Sequence, residues 1–395
     1  MMRRLHVGTA PSEASAVQAR IGVLGAGAWG TAISKVLAEK GHTVDLWCHE
    51  PDVARAVNET HENSSYLPGA RLPALVKASP DISAATEDKD YLFLAIPSLH
   101  LLSNVKKITA CNDIREGRTV IAVLTKGLIE TPGGIRLVTE AVEDYLPGMY
   151  RNKLVYVSGP SHAIEVAQGK ITGLISASRS GRNSIRVREL LSGGSLVVYS
   201  SLDVRGVQVS AALKNVVAIA FGMLDALKET SDRFGDNTES LLLAAGLNEI
   251  QAIGRAMGAT HPETFTSIAG VGDLDVTCRS IHGRNRRFGR EIILKRLIDD
   301  CASIDQVIGN LPRFGYIAEG VVTSKWIHEL AGKLSLPIIG GVYRVLNREI
   351  EPLAELSVMI ERIIAAGRAG SGRRAARLFA RMRALGTHRR NEPAW

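Results

Sequence analysis

The sequence predicts an α/β N-terminal domain with a parallel sheet, followed by an all-α C-terminal domain. In the first half of the chain, short apolar strands alternate with helical stretches, which is the order of a parallel sheet covered on both faces. From about Val207 the apolar residues recur at helical spacing instead. A chain of 395 residues with 45% hydrophobic content is long enough for two such domains.

The first strand leads into a glycine-rich turn. The residues G-A-G-A-W-G stand between the apolar stretch Ile21–Leu24 and a helical pattern over Thr31–Lys40. A G-x-G-x-x-G turn in this context is typical of a dinucleotide site, so the domain is expected to be of Rossmann type. Gly25 would allow the tight turn, Gly27 the approach of a pyrophosphate, and Gly30 close helix packing. The alternative is an ordinary strand-to-helix turn.

The other elements of this domain follow in order. Predicted strands are Thr43–Trp47, 91–96, Val120–Leu124 and Leu154–Val157; predicted helices are 51–58, 98–110, 132–145 and 161–168, with a loop over 60–80. The carboxyl ends of parallel strands meet at one edge of a sheet, where ligands bind. The turns Thr125–Gly127 and Gly159–Ser161 should therefore lie beside the glycine turn.

The second half is predicted to be helical, with two polar turns. Helices are expected over Val209–Leu227, Ser240–Met257, Arg290–Ala302 and Gly320–Ala331, and the turns over Gly270–Leu274 and Gly283–Arg287. The expected domain limits are a loose extension over 1–19, the dinucleotide domain over 20–205, the helical domain over 206–355 and a basic tail over 356–395.

The net charge of +8 is concentrated near the C-terminus. Residues 366–395 hold eight arginines and one glutamate, so the rest of the chain is close to neutral. This location argues against a nucleic-acid partner. The tail is expected to be either a solvated extension or a basic helix in weak peripheral contact with anionic lipid.

Cysteine usage and hydropathy indicate a cytoplasmic protein. Cys48, Cys111, Cys278 and Cys301 are far apart and form no C-x-x-C, which argues against a metal site and against a disulfide framework. We find no apolar run of membrane-spanning length and no signal-peptide core.

Five polar residues could carry chemistry. Lys214 stands in a nearly all-apolar helical segment, where burial would lower its pKa toward the range of acid–base catalysis; a lysine at a helix edge is the alternative. Lys126 ends a buried strand, and Asp273 can orient an ammonium group. Arg284 and Asn285 suit bidentate phosphate binding, with a solvated basic turn as the alternative.

The order of these motifs resembles NAD(P)-dependent sn-glycerol-3-phosphate dehydrogenase of the bacterial type. The matching residues are Gly25–Ala32, Thr125–Gly127, Gly159–Ala163, Ala212–Val216, Gly235–Thr238, Gly270–Leu274, Thr277-Cys278, Arg284–Arg286, Glu319-Gly320, Leu336–Ile338 and Val342-Tyr343. The resemblance extends over about residues 20–350.

The resemblance implies interconversion of dihydroxyacetone phosphate and sn-glycerol 3-phosphate. The reaction would supply sn-glycerol 3-phosphate for phospholipid synthesis. Lys214 would be the general acid/base, and Asp273 and Asn215 would support it. Lys126 would lie nearby and belong to the catalytic group. Residues expected to bind substrate are Lys126, Gly159, Ser161, Lys214, Asn215, Asp273, Thr277, Gly283, Arg284 and Asn285. Residues expected to bind the cofactor are Gly25, Gly27, Ala28, Trp29, Gly30, His49, Lys126, Ala163, Arg284, Ile317 and Glu319. The resemblance also implies a homodimer and gives the helical domain the substrate and dimer contacts.

The sequence departs from the family pattern in four places. The family usually has serine at the positions of Ala28 and Gly283 and arginine at the position of Ala245. Residues Leu227–Arg233 form a short insertion. The missing arginine removes one cationic contact near the active region. Two alternatives therefore stay open: a dehydrogenase for a related phosphorylated hydroxyketone, and a catalytically silent dinucleotide-binding homologue.

The end of the second strand should determine the cofactor. Asp45 lies in mid-strand, whereas His49 and Glu50 follow it. The family often has a basic residue at His49, which is compatible with a 2′-phosphate, while Glu50 would favour the ribose diol. We expect NADP(H), with NAD(H) as the alternative.

Overall fold

The computed structural model describes residues 18–365 apart from 230, 281, 282, 317, 332 and 333. The predicted basic tail from 366 and the predicted extension up to 17 lie outside these residues. The strands are β1 Arg20–Leu24, β2 Thr43–Trp47, β3 Val76–Ser79, β4 Tyr91–Leu94, β5 Val120–Val123, β6 Leu128–Thr131, β7 Gly134–Leu137, β8 Val155–Ser158, β9 Thr172–Ala177 and β10 Leu196–Ser201.

Helices cover both faces of the sheet and form the whole second half of the described chain. They are α1 Ala28–Glu39, α2 Pro51–Thr60, α3 Ser98–Ile108, α4 Asn112–Arg115, α5 Val138–Glu143, α6 Ala163–Ala167, α7 Gly181–Leu191, α8 Val204–Lys228, α9 Asp236–Ala256, α10 Glu263–Thr266, α11 Asp273–Arg279, α12 Arg284–Leu294, α13 Ile304–Asn310, α14 Glu319–Ala331 and α15 Pro337–Leu346. Residues 352–365 are helical as well.

Eight of the described strands form one sheet, in the order β10-β9-β8-β5-β4-β1-β2-β3. Every pairing is parallel except that of β8 with β9, which is antiparallel. After β1 the chain moves outward to β2 and β3, and then returns to β4 on the other side of β1. The turn after β1 therefore lies where the strand order reverses, the usual place for a ligand in such sheets.

The predicted helix over 132–145 is wrong in its first half. β6 and β7 form an antiparallel hairpin with Thr131 paired to Gly134, and only Val138–Glu143 is helical. The chain reverses there because Pro132 and Gly133 cannot continue a helix and Gly134 takes a φ of 101°. Leu128 and Leu137 of this hairpin are buried in the core of the helical half.

Other elements also differ from the prediction, and the helix expected over Arg290–Ala302 continues only to Leu294. The loop expected over 60–80 contains edge strand β3, which pairs with β2. The turn expected over Gly283–Arg287 is wrong, because α12 begins at Arg284 and ends at Leu294. Burial of Phe288 and Ile292 on one face of this helix outweighs the polar character of its first turn.

Helix α8 is the centre of the second half. Among the described helices it has the length, 25 residues, and the mean hydropathy, 1.6, to cross a membrane, but its apolar window is wholly buried inside the protein. Asp203 fixes its start by accepting hydrogen bonds from the N–H groups of Gly206, Thr260 and His261 and from the hydroxyl of Thr264. Helices α9, α11, α12 and α14 pack around it.

Candidate active site

The glycine turn has the geometry of an anion-binding helix start. Gly25 takes a φ of 113°, and a Cβ at Gly30 would lie 1.9 Å from the Gly25 carbonyl oxygen, so neither position accepts a side chain. A Cβ at Gly27 would meet nothing within 4 Å. No side chain caps the start of α1 and its first turn holds no acid. Free N–H groups and open space at a positive helix end fit a pyrophosphate.

A buried carboxylate joins two lysines at the same edge of the sheet. Asp273, the first residue of α11, is 1% exposed and accepts hydrogen bonds on both oxygens. Lys126, after β5, lies with its Nζ 2.9 Å from Oδ2, and Lys214 of α8 donates to Oδ1. Ser158, at the end of β8, donates to Oδ2 at 3.3 Å. Two strand ends and two helices thus converge on Asp273.

Burial and charge shift the pKa values of two members of this cluster. Burial, together with the charge of the nearby Lys126, lowers the pKa of Lys214 to about 8 against the attraction of Asp273. Burial opposes ionisation of Asp273, but the two ammonium groups outweigh it and hold the pKa of Asp273 below its usual value. Asp273 is therefore a carboxylate, and Lys214 can change protonation state near neutral pH.

A second polar group lies where α14 meets α8 and α12. The Nδ2 of Asn215 is 3.5 Å from an oxygen of Glu319, and the Oδ1 of Asn285 accepts from the N–H of Gly320 at 2.9 Å. A Cβ at Gly320 would lie 2.5 Å from the Asn215 carbonyl oxygen, so the helices approach closely. The structure brings these predicted residues together, although Asn215 contacts Glu319 and not Lys214.

The arginines at the start of α12 differ in their contacts. Gly283 precedes the helix, and Arg284 is exposed with no ion pair in the described part of the chain. Arg286 instead forms a bidentate pair with Asp225 of α8, at 2.5 and 2.7 Å. Arg284 is therefore the guanidinium available to an anion. Thr277, one turn after Asp273, donates its hydroxyl to the Asp273 carbonyl at 2.7 Å.

The remaining predicted cofactor residues lie around the glycine turn. Ala28 and Trp29 begin α1, and Ala163 begins α6, which packs against α1. Of the residues predicted to bind substrate, Ser161 donates to the carbonyl of Gly159 at 2.9 Å in the turn after β8. Ile317 lies outside the described residues.

The end of β2 is exposed and polar. His49 and Glu50 follow the strand, and Glu50 accepts a hydrogen bond from the hydroxyl of Tyr66 at 3.2 Å. Asp45 lies within β2 and forms an ion pair with Lys89 at 2.9 Å, so its carboxylate already has a partner.

Sequence reasoning missed three residues in this region. Ser158 contacts Asp273, and its place directly before the predicted turn at Gly159 was the available signal. His162 has a buried Nε2 without a partner among the described residues, and burial and the nearby Lys214 lower its pKa. Asn63 contacts the glycine turn from a loop with no motif of its own.

Comparisons with known proteins find similar sequences over most of the chain. The family model described as NAD-dependent glycerol-3-phosphate dehydrogenase N-terminus matches residues 20–184, and the corresponding C-terminus model matches residues 203–357. Glycerol-3-phosphate dehydrogenase [NAD(P)+] of Treponema denticola is 55% identical over 342 residues, covering 85% of this chain and 96% of that protein. The enzyme of the same name from Latilactobacillus sakei is 36% identical over 87% of this chain and 96% of its own length.

A solved structure shows the same architecture. The crystal structure of glycerol-3-phosphate dehydrogenase from Coxiella burnetii superposes with a TM-score of 0.74 at 31% identity, covering 87% of this chain and 99% of that one. The predicted fold class is thereby confirmed.

Proposed function

Because the chain belongs to the NAD-dependent glycerol-3-phosphate dehydrogenase family, we propose that it interconverts dihydroxyacetone phosphate and sn-glycerol 3-phosphate with a nicotinamide dinucleotide. The observation that carries the proposal is the buried Lys214–Asp273–Lys126 cluster, at the sheet edge that also holds the glycine turn. A dinucleotide in that turn and a proton donor at that edge are the two requirements of carbonyl reduction.

Lys214 supplies the proton in this proposal. The bound dinucleotide, when present, supplies the hydride to the carbonyl carbon of the ketone. Negative charge then grows on the carbonyl oxygen, where the Lys214 ammonium stabilises it and transfers a proton to it. In the oxidation direction, the neutral Lys214 amine takes the hydroxyl proton. Asp273 keeps the lysine in one orientation, and Lys126 neutralises the second carboxylate oxygen.

Phosphate binding would fix the substrate relative to Lys214. The guanidinium of Arg284 forms no ion pair with the residues that the structure describes, and the Asn285 amide is held in place by Gly320. Both belong to the start of α12, where the helix N-terminus adds a positive partial charge. A phosphate held there lies away from the reacting carbon, so its binding energy serves to orient that carbon. The proposed substrate site is completed by Asn215, Thr277, Gly159 and Ser161.

We propose NADP(H) as the favoured cofactor, with NAD(H) accepted. His49 follows β2 and is exposed, so it can face a 2′-phosphate. The carboxylate of Glu50 already accepts a hydrogen bond from the hydroxyl of Tyr66. We also propose a cytoplasmic homodimer with its substrate and dimer contacts in the helical half. Size-exclusion chromatography with light scattering would test the dimer.

A spectrophotometric assay tests the activity directly. The purified protein should oxidise NADPH, and more slowly NADH, in the presence of dihydroxyacetone phosphate, with loss of absorbance at the wavelength of the reduced nicotinamide. Turnover only with another phosphorylated hydroxyketone would replace the proposed substrate. Binding of dinucleotide without turnover of any ketone would contradict the proposal and indicate a silent homologue.

A further inference from the structure

A closed loop, His61–Leu72, lies against the glycine turn. The N–H of Leu72 donates to the His61 carbonyl at 2.8 Å, and Glu62 and Arg71 form an antiparallel bridge, so the loop is joined at its ends. Leu67 and Leu72 are buried in the core beneath the sheet face that also holds α1. The loop is therefore fixed to the body of the domain and can hold another segment in place.

Asn63 connects this loop to the glycine turn. Its side chain is 1% exposed, and its Nδ2 donates to the Ala26 carbonyl at 2.7 Å and to the Thr31 hydroxyl at 2.8 Å. Its Oδ1 accepts from the N–H of Tyr66 at 3.2 Å. The amide cannot be reversed, because the Ala26 carbonyl only accepts and the Tyr66 N–H only donates. Asn63 thus has a single orientation.

The hydrogen bond to Ala26 determines where the next N–H points. In a trans peptide the carbonyl and the following N–H point in opposite directions, so fixing the Ala26 carbonyl toward Asn63 turns the Gly27 N–H away from the loop. That N–H has no acceptor within the described chain, and the space beside Gly27 is open. We propose that Asn63 is a positioning residue that aims the Gly27 N–H at the pyrophosphate of the dinucleotide. The inference rests on the proposed function.

Loss of Asn63 should weaken nucleotide binding without changing the chemical step. The Ala26 carbonyl would keep only the Thr31 hydroxyl, at 3.2 Å, and the Ala26–Gly27 peptide could rotate. Misdirecting one N–H donor to a charged ligand should raise the nucleotide Kd and KM about tenfold. The kcat at saturating nucleotide and the KM for dihydroxyacetone phosphate should stay near the wild-type values, because Lys214 and Arg284 are not touched.

The experiment compares three variants of the full chain by calorimetric titration with NADPH and NADH and by steady-state kinetics. Asn63→Ala removes the amide. Asn63→Asp keeps its volume and the bond from Tyr66 but cannot donate to Ala26. Asn58→Ala is the matched control, because the Asn58 amide also contacts backbone through both atoms, donating to and accepting from Ala78 of β3, away from the glycine turn.

A nucleotide Kd raised about tenfold in both Asn63 variants, with Asn58→Ala like wild type, would support the inference. Wild-type affinity in Asn63→Asp, or an equal loss in Asn58→Ala, would overturn it, since the effect would then be absent or merely structural. If Asn63→Ala folds poorly, Asn63→Asp decides. Failure of the wild-type protein itself to bind either dinucleotide would overturn the proposed function and this inference with it.

Discussion

Replacing Lys214 by methionine separates its chemical role from its structural one. Methionine fills a similar volume in the apolar wall of α8 but has no proton that it can donate. Asp273 would keep Lys126, at 2.9 Å, and the Ser158 hydroxyl, so no unpaired carboxylate is left in the interior. The free energy of unfolding should therefore change little, because removing a buried ammonium also removes its desolvation cost. We expect the melting temperature to shift by only a few degrees, of the order of 1 kcal/mol.

The catalytic loss should be large by comparison. A positioned general acid contributes about 10² to 10⁴ in rate, so kcat for ketone reduction should fall by that factor in Lys214→Met. In the proposed mechanism the reacting form of Lys214 is the ammonium, whose pKa is lowered to about 8 by burial. The reduction kcat/KM should then be level below about pH 8 and fall about tenfold per pH unit above it.

The assay is ketone-dependent oxidation of NADPH between pH 6 and 10, with calorimetric melting of each variant. Lys228→Met is the control, because Lys228 lies on the same helix but pairs with Glu239 far from Asp273; it should keep the wild-type rate and pH profile. Retention of a tenth or more of the wild-type kcat in Lys214→Met, or persistence of the decline near pH 8, would refute the assignment of Lys214.

Three further predictions concern other parts of the structure. Asp203→Ala should lower the free energy of urea unfolding by roughly 3 kcal/mol, because it leaves buried donors at the start of α8 unpaired; a change below 1 kcal/mol would contradict this. Burial raises the pKa of Glu249 to about 7 from an ordinary 4.5, so the folded state holds a proton that the unfolded chain has released. Its contribution to stability is present below pH 4.5 and lost toward pH 7. In Glu249→Gln, the free energy of unfolding measured with urea should therefore depend less on pH across that window. Arg284→Ala should raise the KM for dihydroxyacetone phosphate about tenfold or more at unchanged melting temperature, whereas Arg286→Ala should lower the melting temperature by orphaning Asp225; equal effects on stability would contradict the distinction.

The elements predicted correctly are those in which local chemistry and tertiary structure agree. The family and the fold class are confirmed. Both could be predicted because the glycine turn and the apolar strands of the sheet are recognisable without knowledge of a distant partner. The hairpin at 128–137 was not predicted, although Pro132–Gly134 favours a chain reversal, because its buried leucines pack against helices that are distant in the sequence. The start of α12 was missed because its stability comes from Phe288 and from the pairing of Arg286, which are tertiary contacts.

The candidate site divides in the same way. Lys214 was recognisable because a charge in an apolar helix is unusual. In the structure its ammonium donates a hydrogen bond to Asp273, 59 residues away in the sequence. The contact of Asn63 with Ala26 joins residues 37 apart through a loop without periodicity, so no local pattern could indicate it. The roles of the site residues stay predictions until the variants are measured.

The hairpin of β6 and β7 limits how this protein can be divided. Leu128 and Leu137 precede α8 in the chain, yet both side chains are buried among the helices of the second half. A fragment ending near residue 205 would expose them to water, at a cost of about 2 kcal/mol for each leucine. The nucleotide-binding half is therefore a poor candidate for a transplantable module, and chimaeras between relatives should exchange the hairpin together with the helices that enclose it.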